Sequence, residues 1–372
     1  MSDLKYWLGF NLVKGIGPAK VQALLDYFGH LGAAWHATEL QLQKIGLDQR
    51  AIQSFFEARS QLNLDSCLAQ AQKAGITILT WESAGYPAYL REIPTAPPVL
   101  YLQGELQEID RLAVAVVGTR RLTAYGRQVT HDLVTGLVRN GVTIISGLAR
   151  GIDVVAHKTA LDAGGRTIAV LGSGLDYIYP AEHRSLVKDI VSGRGAVISE
   201  YGLGVQPEAK NFPPRNRVIS GLSLGVIVVE AGERSGALIT ANFALDQGRD
   251  VFAVPGNINS VASKGPNRLI QDGAKLVTCA DDVLDELNLQ MVVEQTAVQL
   301  FLPETAEEAA LLAHLNYDPI HVDELGRATG FPTNLVSSTL TMMELKGMVQ
   351  QTGGMSYILS REPEAIYRLE EE

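Results

Sequence analysis

Five glycine-punctuated segments between residues 112 and 279 constrain the fold more than any other feature of this sequence. Each one follows, or lies close to, a short β-branched run of the kind that forms a buried strand. A parallel sheet gathers the ends of its strands at one edge, so the sequence predicts that these segments line a single binding surface. The segments are VGTRRLTAYG (117–126), SGLARGIDVVAH (146–157), VLGSGLDYIYP (170–180), FPPRNRVISG (212–221) and VVEAGERSGALITA (228–241).

The predicted surface has the chemistry of an anion site. Its loops combine bare backbone amides with guanidinium groups, which together hold an anion by its oxygen atoms, most simply a phosphate. The arginines on these loops are Arg120, Arg121, Arg150, Arg215 and Arg217.

Strand and helix patterns alternate from residue 111 to 287. This alternation predicts an α/β domain with a Rossmann-like, doubly wound and mostly parallel sheet. The apolar runs are nearly continuous, as in strands that are covered on both faces. The predicted strands are 112–117, 142–146, 167–171, 196–199, 225–230, 251–254 and 275–278.

Other domains are predicted on both sides of this one. Residues 1–85 form a helical domain in which a glycine turn precedes a helix that starts near Pro18, and the proline-rich residues 86–110 form a linker packed on the core. After a second linker at 288–302, residues 303–360 pattern as three helices and a β-hairpin, which is the winged-helix layout. An acidic tail, 361–372, ends the chain.

The negative charge of the chain is concentrated at its end. The net charge is −10, and residues 303–372 contribute 12 acidic and 4 basic residues to it. The helix predicted over 333–346, which would enter a DNA groove, has Glu344 and Lys346 as its only charges. We therefore favour a protein-binding or autoinhibitory role for this module over DNA reading.

Several classes of protein are disfavoured by composition. The only cysteines, Cys67 and Cys279, are far apart and fit a reducing cytoplasm. No apolar stretch approaches the roughly 20 residues of a membrane span, and no signal peptide is expected. The histidines lack metal-ligand spacing, so neither a metal nor a cofactor is expected.

The loop at 118–126 is neither a Walker A motif nor a dinucleotide fingerprint. Arg120 is predicted to bind phosphate together with Gly118 and Thr119, whereas a solvated surface role fits Arg121 equally well. Close backbone approach to a ligand is predicted for four strand-end glycines, although ordinary turns explain any one of them: Gly147, Gly151, Gly172 and Gly174. Structural roles are predicted for Asp153 and His157.

The segment around residue 212 is the most unusual in the chain. Arg215-Asn216-Arg217 opens a helix, where two arginines oppose the helix dipole unless an anion lies between them. Phe212 offers a face on which a base can stack and Lys210 adds a cation, as in single-strand binders. A salt-bridged helix start with Phe212 in the core is the alternative. Ser235-Gly236 begins another helix that is suited to a phosphate.

The order of these motifs resembles that of the DNA-processing protein A family, also called DprA or Smf. The motifs include VGTRR, SGLARGID, FPPRNR, SGALITA and the run of residues from VFAVPG to DGA. The resemblance implies a helical SAM-like or helix-hairpin-helix region and a C-terminal winged helix. It also implies DNA contacts from Arg120, Lys210 and Phe212.

The same resemblance implies a function and partners. Members bind single-stranded DNA without sequence preference and load RecA recombinase during natural transformation. They relieve the block imposed by single-strand-binding protein, act as homodimers and have no established enzymatic activity. Two alternatives stay open: a nucleotide or nucleoside-phosphate hydrolase on a lysine-decarboxylase-like Rossmann scaffold, and a transcription regulator. The region VEAGERSGALIT lacks the PGG-x-GT motif of the hydrolases.

Overall fold

The β-branched runs of the sequence form the strands of one large sheet. The computed structural model describes residues 3–289, 303, 305–316, 319–346 and 348–359. Its compact units are Met1–Leu289 and Gln290–Glu372. The strands of the first unit are β1 (Thr77–Thr80), β2 (Val99–Gly104), β3 (Ala113–Val117), β4 (Thr143–Ser146), β5 (Thr167–Leu171), β6 (Gly195–Ser199), β7 (Gly225–Val228), β8 (Asp250–Ala253) and β9 (Lys275–Leu276).

The sheet has the order β1-β2-β6-β5-β4-β3-β7-β8-β9. All neighbours from β6 to β9 pair in parallel, so the predicted mostly parallel, Rossmann-like sheet is confirmed. Every residue of β3 and β5 is buried, which explains their uninterrupted apolar sequences. The parallel part of the sheet starts with β3, and β4, β5 and β6 follow in order on one side of it. The chain then returns to form β7 on the other side of β3. Such a reversal opens a crevice at the carboxyl ends of the strands.

Two strands occur where the sequence predicted none, β1 within the predicted helical domain 1–85 and β2 within the predicted linker 86–110. Strand β2 pairs antiparallel with β6, and β1 pairs antiparallel with β2, so the sheet continues through residues 77–104. The prolines of this segment precede or follow the strands, and β2 begins immediately after Pro98. Leu100 and Tyr101 are almost completely buried. Burial of such side chains, which proline content does not reveal, stabilises the added strands.

Helices cover both faces of the sheet, and the described elements that precede β1 are all helices. As predicted, Pro18 is the first residue of the second helix, and it follows a turn in which Gly15 has a φ of 83°. The helices of this unit are α1 (Leu4–Leu12), α2 (Pro18–Phe28), α3 (Leu31–Trp35), α4 (Glu39–Lys44), α5 (Gln49–Gln61), α6 (Leu64–Lys73), α7 (Ala88–Glu92), α8 (Ala124–Arg139), α9 (Ile152–Asp162), α10 (Arg184–Val191), α11 (Phe212–Gly221), α12 (Gly236–Asp246), α13 (Lys264–Gln271) and α14 (Ala280–Glu286).

Aromatic side chains form the centre of the N-terminal helical region. The rings of Phe10 and Phe55 stack with their centroids 5.4 Å apart, and the Trp35 ring stands nearly perpendicular to both. Their hydrophobic cluster continues through Tyr101 to one face of the sheet. The helical region therefore packs against the sheet that positions the candidate site.

The second unit has the predicted winged-helix layout. Its described elements are α15 (Ala306–Leu312), β10 (Ile320–His321), α16 (Val322–Thr329), α17 (Thr333–Leu345), β11 (Val349–Gly353) and β12 (Ser356–Leu359). The short strand β10, which the sequence analysis missed, completes a three-stranded sheet with β12 and β11. Leu311, Val322, Val336 and Leu340 contribute to a separate apolar core.

Some predictions cannot be compared with these elements. The predicted linker 288–302 lies outside the described residues except for its first two positions, and the predicted tail 361–372 lies wholly outside them. The domain boundaries at residues 85 and 110 stay predictions. None of the helices in the described ranges combines the length and apolar character needed to cross a membrane.

Candidate nucleic-acid interface

A cleft of about 610 Å³ lies at the carboxyl ends of the central strands. Gly118 follows β3, Ala149 follows β4 and Ser235 follows β7, so the cleft occupies the crevice where the sheet order reverses. The start of α11 contributes Phe212 and Arg215 to its lining. A smaller cleft beside it includes Gly147 and Arg150. The glycine-punctuated segments therefore meet at one edge, as the sequence predicted.

The ring of Phe212 lies close to two guanidinium groups. The Arg120 guanidinium carbon lies 5.6 Å from the ring centroid, and that of Arg215 lies 5.9 Å from it. Both distances are within the range of cation–π attraction. Phe212 is only half-buried and Arg120 is exposed, so an aromatic surface and a cation are accessible together.

Arg215 has a structural role as well as a place in the cleft lining. It is 5% exposed, and its Nη1 donates to the carbonyl oxygens of Gly147, at 2.8 Å, and of Val170. Burial lowers its pKa to about 10, which leaves the group charged at neutral pH. Arg215 thus joins the ends of two strands and places positive charge 5.9 Å from the centre of the Phe212 ring.

A buried carboxylate shapes the loop that follows β4. Asp153, in the first turn of α9, accepts hydrogen bonds from the amides of Gly147 at 3.1 Å and Ala149 at 3.3 Å. His183 Nδ1 donates to the Leu148 carbonyl oxygen at 2.8 Å, and Leu148 has a left-handed φ of 57°. Burial raises the pKa of the Asp153 carboxyl. These bonds hold a strained backbone in place beside the cleft.

The start of α12 supplies backbone amides to the same cleft. Ser235 caps this 11-residue helix by accepting from the Ala237 amide at 3.3 Å. Gly236 is exposed, and a Cβ there would have no neighbouring atom within 4 Å. Asn216 Nδ2 donates to the Gly236 carbonyl oxygen at 3.2 Å and ties α11 to this helix start. A helix start that lines an open cleft suits an anionic group.

Nine of the thirteen predicted site residues line one or both clefts: Gly118, Arg120, Gly147, Arg150, Phe212, Arg215, Asn216, Ser235 and Gly236. Arg150 is exposed and forms a two-pronged ion pair with Glu182, at 2.7 and 2.8 Å. Gly147 approaches protein side chains closely, because a Cβ there would lie 2.7 Å from Arg215 Nη2.

The other four predicted residues lie outside the cleft linings. Thr119 donates its amide to the Glu230 carbonyl oxygen at 2.7 Å, and its Oγ1 accepts from the Arg121 amide. The side chain of Arg121 is exposed. Lys210 is exposed as well, and its Nζ lies 2.6 Å from Glu208.

Arg217 differs most from the prediction of a bound anion. It is 8% exposed, and both Nη atoms bind the Glu200 carboxylate at 2.7 Å. Its Nε donates to the Thr95 carbonyl oxygen. The anion beside this arginine is therefore a protein carboxylate, which the dipole argument could not identify.

The four strand-end glycines also have a different explanation from the predicted one. A Cβ on Gly172 would lie 2.9 Å from Phe212 Cδ1, and one on Gly151 would lie 2.1 Å from the Thr119 carbonyl oxygen. A Cβ on Gly174 would lie 2.5 Å from the Gly202 carbonyl oxygen. Close approach is real at these positions, but it is made by protein atoms rather than by a ligand.

Tyr179 is a cleft residue that the sequence analysis missed. It is 46% exposed, lines both clefts and places its ring 5.9 Å from that of Phe212. The sequence feature that points to Tyr179 is an aromatic side chain in the glycine-rich segment that follows β5.

The acidic and imidazole groups near the cleft are engaged in the fold. Glu230, which is 2% exposed, accepts from the Thr123 amide at 2.9 Å and from its hydroxyl at 2.5 Å, at the start of α8. His157 is fully buried, and its Nδ1 lies 2.7 Å from Thr167 Oγ1. The structural roles predicted for Asp153 and His157 are confirmed. In the described part of the chain, no three His, Cys, Asp or Glu side chains are placed to hold a metal ion.

Comparison with known proteins identifies relatives over most of the chain. Residues 77–288 match the family described as DNA recombination-mediator protein A, and residues 295–355 match the DprA winged helix domain. Protein Smf of a Synechocystis strain is 36% identical in an alignment that covers 96% of this chain and 98% of the relative.

Two solved structures are similar to the chain. The X-ray structure of DNA processing protein A from Streptococcus pneumoniae has a TM-score of 0.67 at 39% identity, over 76% of this chain and 97% of that one. DNA processing protein A from Helicobacter pylori, solved for its single-stranded DNA binding mode, has a TM-score of 0.51 at 31% identity. The alignment with this structure covers 57% of this chain and 95% of the Helicobacter pylori chain.

Proposed function

The chain belongs to the DNA recombination-mediator protein A family, and from that premise we propose that its cleft binds single-stranded DNA. Family membership assigns it a DNA-processing, recombination-mediator role. The observation that carries the proposal is the half-buried ring of Phe212, which lies within cation–π distance of two guanidinium groups in the lining of an open cleft. The Helicobacter pylori relative, with its single-stranded DNA binding mode, supports the same assignment.

Phosphate and base are recognised by different groups in this proposal. Arg120 and the amides at the start of α12 bind backbone phosphates, while a base stacks on Phe212 with Tyr179 beside it. Gly118 and Gly147 keep the strand ends close to the side chains that line the cleft, and Asn216 holds the helix start that Ser235 and Gly236 form. All of these contacts address features shared by every nucleotide, so the binding is independent of sequence.

The remaining cations extend or support the site. Arg121, Arg150 and Lys210 are exposed and provide further positive charge for the phosphates that leave the cleft. Arg150 and Lys210 exchange a carboxylate partner for a phosphate when DNA binds. Thr119, Arg215 and Arg217 act from within the fold, because their bonds to Glu230, Gly147 and Glu200 fix the loop and helix around the cleft.

A recombination mediator transfers the DNA strand that it binds to another protein. We infer that this chain loads RecA recombinase onto incoming DNA during natural transformation and relieves the block by single-strand-binding protein. It acts as a homodimer in the cytoplasm and has no enzymatic activity. The two carboxylates of the region VEAGERSGALIT have protein partners, since Glu230 accepts from Thr123 and Glu233 pairs with Lys264. Incubation with nucleoside monophosphates should release neither base nor phosphate, and release of either would revive the hydrolase alternative.

The proposed function is tested by titrating fluorescent oligo-dT and a duplex of the same length across a salt series. Oligo-dT should bind more tightly, and its affinity should fall with salt by a slope of roughly 0.7 per phosphate contact. Arg120→Ala should weaken binding to every sequence and reduce that slope, with an unchanged melting temperature because the side chain is exposed. Preference for the duplex, or an unchanged isotherm for Arg120→Ala, would contradict the assignment.

A further inference from the structure

A second exposed surface lies on the same edge of the sheet as the cleft. It consists of Tyr125, Ile258 and Val261, which are 48%, 82% and 69% exposed. Tyr125 lies in the first turn of α8, after β3, and the other two lie in the segment after β8. Because β3 and β8 flank β7 in the sheet, the loops that follow these three strands are neighbours. We call these three side chains the β8 patch.

The loop that carries the β8 patch is braced at several points. Asn267 donates to the Gly256 carbonyl oxygen at 2.9 Å and accepts from the Gly256 amide at 3.1 Å. The Tyr125 hydroxyl donates to the Pro255 carbonyl oxygen at 2.7 Å, which fixes the ring against this loop. Exposed apolar side chains on a fixed backbone mark an interaction site, since they bind without a large ordering cost.

The β8 patch continues the cleft. Tyr125 belongs to the same segment, 118–126, as the cleft residues Gly118 and Arg120. The loop after β7 joins both surfaces, because Ser235 lines the cleft while the Ala231 amide donates to the Ala262 carbonyl oxygen at 2.7 Å. The cleft and the β8 patch therefore share the loops that follow β3 and β7 at one edge of the sheet.

The surrounding charge fits a nucleic-acid strand. Arg121 and Arg127 are exposed on either side of Tyr125 in the sequence, and Arg234 is exposed in the loop after β7. The nearby carboxylates are already paired, Glu230 with Thr123 and Glu233 with Lys264. Three side chains are also far too small a surface for a stable protein interface, which needs about 800 Å² on each partner. An aromatic face among guanidinium groups is what successive bases and phosphates require.

We propose that Tyr125 is a second base-stacking position for the DNA strand in the cleft, with Ile258 and Val261 as apolar walls beside the stacked base. This inference rests on the proposed function of the cleft. It adds that the binding site extends along the sheet edge toward β8, so that long strands gain contacts that short strands lack.

The test compares strands of two lengths, oligo-dT of about 4 nucleotides and of about 16 nucleotides, within the range of known single-strand site sizes. Tyr125→Ala should lower affinity for the long strand about fivefold or more and leave the short strand unaffected. Tyr125→Phe, which keeps the ring, should retain most of the affinity. Tyr27→Ala is the matched control, because Tyr27 is 49% exposed in α2 and away from this edge.

Melting curves and sedimentation accompany each variant, so that loss of fold or of self-association is separated from loss of a DNA contact. Equal affinity of Tyr125→Ala and the unsubstituted chain for the long strand would overturn this inference while leaving the cleft assignment intact. A change in self-association without a length-dependent DNA effect would overturn it too and would make the β8 patch a protein contact. If neither strand binds the unsubstituted chain, the proposed function itself fails.

Discussion

Phe212 combines two roles that are usually separate, since one part of its ring packs against protein and another lines the cleft. A Cβ at Gly172 would lie 2.9 Å from the ring, whereas the exposed Arg120 lies near the same ring in the cleft lining. We expect Phe212→Ala to cost about 1–3 kcal/mol of single-strand binding, because a stacking face is lost. Titration with oligo-dT and thermal melting of the same sample measure both roles.

The matched variant for this prediction is Phe212→Leu, which keeps apolar volume but removes the flat ring. It should melt close to the unsubstituted chain and bind as weakly as Phe212→Ala. Early melting of Phe212→Ala with full affinity in the folded fraction would assign the ring to the core alone. Normal melting together with normal affinity would contradict both roles.

His157 makes the stability of the fold depend on pH. It is fully buried, and its Nδ1 donates to Thr167 Oγ1, whose own hydrogen is donated to the Ile144 carbonyl oxygen. Burial lowers the pKa of His157 from 6.5 to about 3, so between these values the unfolded chain binds a proton that the folded chain does not. Stability should therefore fall as pH falls through this window, by up to about 1.4 kcal/mol per pH unit.

Urea unfolding between about pH 7 and about pH 5 tests this prediction. His157→Gln should be less stable at neutral pH, because the buried packing changes, but its stability should decline less steeply with acid. His131→Gln is the control, because the His131 side chain is 60% exposed and its substitution removes an imidazole without changing the core. Parallel pH slopes for the His157 variant and the unsubstituted chain would show that this imidazole does not titrate as argued.

At the scale of single residues, the sequence predicts which side chains lie at the cleft better than it predicts which residues they contact. Arg120 and Phe212 were placed correctly at the cleft because strand ends and helix starts fix their positions. Arg217 was expected beside a ligand, yet its carboxylate partner Glu200 is 17 residues away in the sequence and at the end of another strand. Pairing of that kind depends on tertiary packing, which local patterns do not encode.

Among the elements, the loop after β4 depends on a glycine for a reason that can be tested. Gly151 has a φ of 85°, and a Cβ there would lie 2.1 Å from the Thr119 carbonyl oxygen and 2.7 Å from the Arg120 Cα. Gly151→Ala should therefore destabilise the fold by more than the roughly 1–2 kcal/mol of left-handed strain, and should displace the loop that carries Arg120. Both melting temperature and single-strand affinity should fall.

Gly164→Ala separates strain from collision. Gly164 has a similar φ of 78°, but a Cβ there would have no neighbour within 4 Å. It should lose only the cost of left-handed strain and bind DNA normally. Equal stability of the Gly151 and Gly164 variants, with full DNA affinity in both, would mean that the loop after β4 does not support the loop that carries Arg120.

The elements themselves were predictable wherever their apolar patterns were unambiguous. Strands β3 to β9 and the helices of the winged-helix unit were all expected from the sequence. The antiparallel strands β1 and β2 were missed, since the prolines between them resemble a linker and β2 pairs with β6, which is almost a hundred residues away in the sequence. Edge strands of this kind are fixed by the sheet they join more than by their own composition.

For the whole molecule, the uneven distribution of charge predicts different functions for the two units. The two charged residues of α17 and its C-cap are both bound within the unit. Lys346 Nζ lies 2.7 Å from Glu308, and Glu344 accepts from the Gln351 amide at 3.0 Å. The exposed residues of this helix include Asn334, Ser338, Thr341 and Met342, which are uncharged. A helix that reads a DNA groove also contacts phosphates, and this helix has no exposed cation among its described side chains.

Deletion of residues 303–372 should therefore leave single-strand affinity unchanged or slightly raised, most clearly at low salt, where screening is weak. The same deletion should alter a protein interaction or self-association, measured by sedimentation and by RecA-dependent strand pairing. A full-length variant that combines Asp323→Asn with Glu324→Gln separates charge from bulk, because both residues are exposed on α16. It should reproduce part of any low-salt gain in affinity and none of the partner effect. A large loss of DNA affinity in a truncated chain that remains folded and keeps its oligomeric state would show that the winged-helix unit contacts DNA, contrary to its charge.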